Sequence, residues 1–405
     1  MEKYTIFLAL FFFTACSQPT SRYSGFKKPK ELENAIIVPT DTISTKIIKA
    51  SKPIDIINAS DIIEDVILIP LETTSESLVT FHRKVIFHDN KIYVLDDLGS
   101  EALFIYDNNG NYLKTIGTKG QGPEEFSILH GMCIDKKNNN VILYDNGKRK
   151  MMFYDLEGNY IKNITISYRQ TDQFAISPSN NIIAITSKND GNFHLEDYDK
   201  YRLIYSDTLG NIRSLGFEFD DNINLPRSWS KIFFNGDEIL FYQQYTNSIY
   251  SITDTLIREK FRIDCINFTP FDINLITSFE NYEEFQKHIY TKTNLASYVA
   301  ENTNHLYFVI DNKKEAYKYF YDKRTGNHIG FKKMNYNTEF FNTFKSNIFS
   351  YQDYFIGKAS SEELMKLKKE RDKSGKPFSN KINKIIESLK DDDNDVLVLF
   401  KIKEL

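Results

Sequence analysis

Cysteine is scarce in this chain, three residues in 405. Cys16 closes an apolar N-terminal run, which leaves only Cys133 and Cys265 for the body of the protein. A disulfide would need their Cα atoms within about 7 Å. Both lie in apolar, strand-like stretches, GMCID and RIDCINF, of non-adjacent repeat units. They are read as buried free thiols; a catalytic thiol is the alternative. A basic excess is also missing. The formal charge is −4 and the pI near 6.1, which leaves nothing to neutralise a phosphate backbone and excludes nucleic acid as a partner. The seven histidines are scattered, with no HExxH and no Cys/His cluster, so zinc chemistry has no support. No GxSxG elbow occurs, and no Ser/His/Asp set suggests itself. The paired carboxylates Glu124-Glu125 and Glu283-Glu284 are sequence neighbours and do not face each other as an acid/base couple would. Glycine and proline are modest, at 17 and 10, while Phe and Tyr reach 32 and 25. Aromatics suit pleated, half-buried surfaces, so the composition leans to β.

The first residues differ from the rest. One Lys in MEKY precedes the apolar run TIFLALFFF, and TAC ends it. The run is too short for a stable membrane-spanning helix and has the shape of a signal peptide. The cysteine after Ala15 resembles a bacterial lipobox, with Phe13 where Leu is usual. That resemblance implies removal of residues 1–15 and acylation of Cys16, a stable anchor once several chains share one residue. An ordinary secretory signal with an incidental cysteine is the alternative. Residues 16–58 then read as lipidated cysteine and tether, and residues 59–405 as the folded domain.

That domain repeats itself. FIYDNNGNYLKTIG (104–117), FYDLEGNYIKNITI (153–166) and IYSDTLGNIRSLGF (204–217) each run strand, Gly-Asn turn, strand. The turn glycines Gly110, Gly158 and Gly210 are 48 and 52 residues apart, and weaker copies follow at 250–263 and 319–332. Another strand pair precedes the first two hairpins. Four short antiparallel strands at this period mark a propeller blade, and the length suits six. A β-helix or sandwich would also give many short strands but not this recurring hairpin. The fold class is therefore all-β, a six-bladed β-propeller with short helical insertions. IIEDVILIPLE (62–72) lacks a partner of its own and is predicted to close the ring beside the C-terminal VLVLFKIK in one blade. Helical periodicity appears twice. Tyr282, Phe285 and Ile289 share a stripe, and a helical hairpin is predicted over about 360–393, opened by a Ser360/Glu363 capping box. Its apolar stripe is read as covering a core face, with partner docking as the alternative.

IGTKGQGPEEF (116–126) holds three glycines but leads into a strand rather than a helix N-terminus, so it cradles no phosphate. Its task is to carry the chain from the outer strand of one blade to the inner strand of the next. The loop resembles the NHL-repeat signature. With VILIPLETT, KIYVLDD and the closing DDDNDVLVLFKIK, nearly the whole mature chain resembles the six-bladed propeller lipoproteins of Bacteroidota. The resemblance implies a lipid-anchored envelope protein and brings no catalytic motif. An acidic export run after the cysteine is absent from CSQPTS, so neither membrane nor face is assigned.

Propellers bind ligands where the loops feeding the inner strands converge. Reading the blades in register places Arg83, His130, Arg169, Arg227 and Trp229 around that mouth. Arginine suits carboxylate or phosphate and tryptophan suits a sugar ring or cation, although pairing of each Arg with a neighbouring Asp is the plainer use. Asp96, Asp97 and Asp145 are the candidates for Ca²⁺, the one cofactor considered, but Asp at a strand end is more often a turn former. The reading is a binding module for an anionic saccharide, peptide or envelope protein. The alternatives are a propeller lyase or hydrolase using His130 and Arg83, with or without Ca²⁺, and a docking lipoprotein that contacts its partner through the late helical hairpin.

Overall fold

An aspartate sets each of the repeated hairpins. Asp107, Asp155 and Asp207 accept at the carbonyl from the N–H of Gly110, Gly158 and Gly210, each at 3.0 Å. Their carboxylates accept from the backbone N–H and side-chain amide of Asn111, Asn159 and Asn211. The glycines stand at φ of 87°, 81° and 91°, where a side chain would be strained.

The structure is a computed structural model that describes residues 27–186, 191–219, 230–265, 268–312, 315–336, 348–375 and 377–405. Cys16, Arg227 and Trp229 lie outside the described residues.

Six antiparallel four-stranded units form the ring. Blade 1 comprises Lys84–His88, Lys91–Asp96, Ala102–Asp107 and Tyr112–Ile116. Blade 2 comprises Leu129–Asp135, Asn140–Asp145, Lys150–Asp155 and Tyr160–Thr165. Blade 3 comprises Phe174–Ile176, Ile182–Ile185, Tyr201–Ser206 and Ile212–Glu218. Blade 4 comprises Lys231–Asn235, Glu238–Tyr242, Ser248–Ile252 and Ile257–Asp264. Blade 5 comprises Thr293–Glu301, His305–Asn312, Glu315–Asp322 and His328–Asn335. Blade 6 is made by Phe349–Tyr351, Tyr354–Ala359, Val396–Ile402 and, from the other end of the chain, Ile63–Pro70. Val396 pairs with Pro70 and Ile402 with Ile63, so both ends close one blade as the sequence predicts.

Both faces of each blade are apolar, because each face packs on a neighbour. Six clusters of buried residues consequently lie between successive blades rather than in one central core. Cys133 is buried between blades 2 and 3 and Cys265 between blades 4 and 5, both as free thiols. Phe126, at the end of the glycine loop, is buried between blades 1 and 2, and Gly117 turns the chain at φ 84°. Lys148 Nζ holds the loop by donating to the carbonyls of Gly120 and Glu125.

The tether needs correction. From Ile36 onward it belongs to the ring. Ile36–Val38 adds a parallel fifth strand to blade 3, Thr40–Asp41 and Lys46–Lys49 pair with the outer strand of blade 4, and Ile54–Asn58 pairs with that of blade 5. An outer strand otherwise presents a row of unpaired N–H and C=O groups, and this belt satisfies them on three consecutive blades. Val38, Ile48 and Ile57 point inward and are buried, while Ile37, Ile47 and Ile56 point out.

Both helical insertions form. Phe285 of Tyr282–Ile289 is buried among Phe219, Tyr245, Phe271 and Phe279. Ser361–Lys373 is capped by Ser360, whose Oγ accepts from Glu363 N–H at 3.2 Å. The partner helix Asn380–Glu387 buries Ile382 and Ile386 against blade 6 beside Leu68 and Val398. The hairpin's apolar stripe thus covers a core face.

Candidate functional site

A pair of equivalent aspartates builds one end of the ring's axis. Asp96, at the end of the second strand of blade 1, accepts from the N–H groups of Thr80, Phe81, Gly99 and Ser100. Asp145 does the same in blade 2 for Ser127, Ile128, Gly147 and Lys148. Each carboxylate ties the loop entering an inner strand to the loop leaving the second strand. Burial pushes the Asp96 carboxyl up, but the N–H bonds from Gly99, Thr80 and Ser100 outweigh it and hold the group below its usual range. A shell of N–H donors suits a carboxylate and leaves no lone pairs turned to a cation. Among the described residues, no group of three or more His, Cys, Asp or Glu converges as a metal site would require.

On this frame sits a cluster drawn from three blades. Arg83 precedes the inner strand of blade 1, and its Nε lies 2.9 Å from each oxygen of buried Asp97. His130 of blade 2 brings Nδ1 to 3.6 Å from Asp97 Oδ2. Asp172, before the inner strand of blade 3, lies 3.9 Å from Arg83 Nε and accepts from Gln173 Nε2 at 2.7 Å. Arg83 leans on Phe81, and only its Nε bonds to Asp97, so the outer guanidinium edge is left for the mouth.

Below the cluster runs the axial channel, a cavity of about 590 Å³ lined by residues from the inner edge of every blade. One register of the inner strand is decisive here. Lys84, Gly131 and Lys231 are in equivalent register, opposite Leu95, Tyr144 and Tyr242. Gly131 is required because a Cβ there would stand 2.6 Å from the Asp172 carbonyl oxygen. Lys84 Nζ donates to Met132 O of blade 2 at 3.1 Å and lies 5.6 Å from the ring of Phe234 on blade 4, across the channel. Lys231 Nζ donates to Val299 O of blade 5 at 3.0 Å. Burial lowers both ammonium groups; Lys231 is brought to about 8, with Lys84 adding repulsion and Asp172 opposing it. The far end is polar too, where Lys136 Nζ reaches Gly236 O and Asp237, each at 2.8 Å.

Of the residues read from sequence, Arg83 and His130 meet on Asp97. Neither His130 nor Arg169 belongs to the channel wall itself; the Arg169 backbone N–H and carbonyl are held by Asn192, and its guanidinium lies near that of Arg149, whose own proton is loosened by burial and by Arg169. Lys84 and Lys231 were missed, although RKVIF and SKIFF place a lysine identically before an apolar strand. Neither cysteine is poised as a nucleophile, since burial raises both thiols and takes Cys265 to about 12.

The fold recurs in solved structures. A Bacteroides fragilis protein described as exported superposes with a TM-score of 0.74 at 18% identity, over 89% of this chain and 100% of that one. A member of the DUF4221 family from Bacteroides vulgatus gives 0.49 at 12% identity, over 85% and 98%. Virginiamycin B lyase from Staphylococcus aureus gives 0.38 at 13%, over 72% and 82%. The first of these likenesses bears on the ring alone. No curated protein matches the chain by sequence. The profile described as Domain of unknown function (DUF4934) matches residues 43–401, most of the chain and nearly the whole ring, and the chain belongs to that family.

Proposed function

We propose that this protein is an exported, lipid-anchored binding module that takes an anionic ligand, a saccharide, peptide or protein segment, at the mouth of its axial channel. One observation carries the reading: Arg83, Lys84 and Lys231 converge on one channel, where the nearby carboxylates Asp97 and Asp172 are already engaged by Arg83 and Gln173. Such a channel attracts negative charge and discriminates against cations.

Anchoring rests on Cys16 at the end of the apolar leader and on the exported relative. Among the described residues no helix is long and apolar enough to cross a membrane. In the native host, wild-type protein is expected in the membrane fraction and labelled by an alkynyl palmitate; Cys16→Ser is expected to lose both. Retention of label by the variant would remove the anchor.

Binding is tested by thermal shift of the purified protein against acidic oligosaccharides and acidic peptides, with neutral counterparts as controls. A shift of several degrees is expected for an acidic member and is expected to vanish in Arg83→Ala/His130→Ala. A shift that survives in that variant would move the site elsewhere.

A second reading has its own support, since His130 and Asp97 stand 3.6 Å apart at the mouth. A rearrangement of a few tenths of an ångström would make them a hydrogen-bonded pair fit for proton transfer. In that case His130→Ala would bind the ligand and stop its turnover.

A further inference from the structure

We propose that Lys84 and Lys231 clasp a single tetrahedral dianionic group, a sulfate or phosphate, inside the axial channel. This rests on the anion-binding reading above and goes further, to a ligand class and a seat.

Blades 1 and 4 face each other across a six-membered ring, and each places a lysine at the same register of its inner strand. Each ammonium has three N–H donors, and one is used on a carbonyl of the next blade, Met132 or Val299. Two donors on each side remain. The contact of Lys84 with Phe234 of the opposite blade sets its charge in the channel rather than between blades.

No carboxylate answers either lysine within ion-pair distance among the described residues. Asp97 is held by Arg83, Asp172 by Gln173, and Glu301, which also lines the channel, by Lys260 and Lys323. Asp172, beyond ion-pair distance, offsets the two ammonium groups only in part, so one buried and one half-buried cation oppose folding, and methionine would fill the same volume without that cost. An ion that enters the channel supplies what the chain leaves out.

Charge selects the anion. Lysine is a compact point charge that an oxyanion can approach from any side, and two of them facing one channel match the charge of a dianion such as sulfate or phosphate. The cavity is far larger than one such anion and has aromatic walls, Phe87 stacked on Tyr351 among them, with ring centroids 4.9 Å apart. The group is therefore carried as a monoester on a body of small-molecule size.

The test is calorimetric titration of the purified protein with inorganic sulfate, inorganic phosphate and glucose 6-phosphate, in a chloride buffer at pH 7, with acetate as the planar control. Saturable binding of at least one tetrahedral anion is expected, weakened tenfold or more in Lys84→Met and in Lys231→Met and abolished in the double variant. Preference for glucose 6-phosphate would mark the monoester, and preference for the inorganic ions a free anion. Both variants are expected to melt no lower than wild type, which separates loss of the site from loss of the fold. Absence of saturable binding by wild type, or unchanged binding by the folded double variant, would overturn the proposal. If an acidic ligand found by thermal shift needs Arg83 and His130 but binds the lysine double variant equally well, this inference falls while the mouth reading stands.

Discussion

A half-buried lysine among carbonyls and phenylalanines is held at a disadvantage, and pH reveals it. Burial lowers Lys231 from about 10.5 to about 8, with Lys84 adding repulsion and Asp172 opposing the shift. Below pH 8 the folded protein bears the buried charge in full. Between about 8 and 10.5 the folded state has released the proton while the unfolded chain retains it, so stability rises with pH across that window. Lys231→Met is expected to gain on the order of 2 kcal/mol at pH 7 and to lose that rise, as read by urea unfolding at pH 7, 8, 9 and 10. An equal pH response in wild type and variant would show that Lys231 is not the group responsible. Anion binding should weaken as pH climbs past 8, because the ligand favours the protonated lysine. Asp97 makes the opposite case. Asp97→Ala strands Arg83 and is expected to destabilise by about 2 kcal/mol.

Elements show which signals a sequence carries openly. The Tyr-Asp…Gly-Asn hairpins were legible because every participant lies within five residues, from Asp107 to Asn111 or Asp155 to Asn159. The helical hairpin was legible for the same reason, through Ser360 and the Ile382/Ile386 spacing. The belt was not. IIV, KIIK and IDIIN are three to five residues long, broken by Pro39 and Pro53, and each pairs in parallel with a strand well over a hundred residues away. Parallel pairing leaves no turn to read. Arg83 and His130 could be placed from register. Lys84 and Lys231 could not, because a lysine opening a strand ordinarily points to solvent. Gly131→Ala tests the inner-strand geometry directly: its Cβ would meet Asp172 O, and a loss of about 1–3 kcal/mol is expected together with weaker ligand binding. A neutral effect on both would mean that Asp172 can retreat without consequence.

At the scale of the molecule, the chain holds its ring shut twice. Ile63–Pro70 closes blade 6 against Val396–Ile402, and the belt just before it straps the rims of blades 3, 4 and 5. Deletion of residues up to 58 is expected to leave the closing strand in place but to expose three outer edges. Such a protein should melt lower and self-associate by light scattering; a monomer of unchanged stability would show the belt to be dispensable. The ring in turn keeps opposite blades at fixed separation, which lets Lys84 and Lys231 face a common ligand. Anomalous diffraction from crystals soaked in sodium selenate, a tetrahedral dianion, tests that claim most directly. A peak in the channel within hydrogen-bond distance of both Nζ atoms is expected in wild type and should be absent in Lys84→Met/Lys231→Met. Ordered selenate elsewhere on the protein with an empty channel would contradict it.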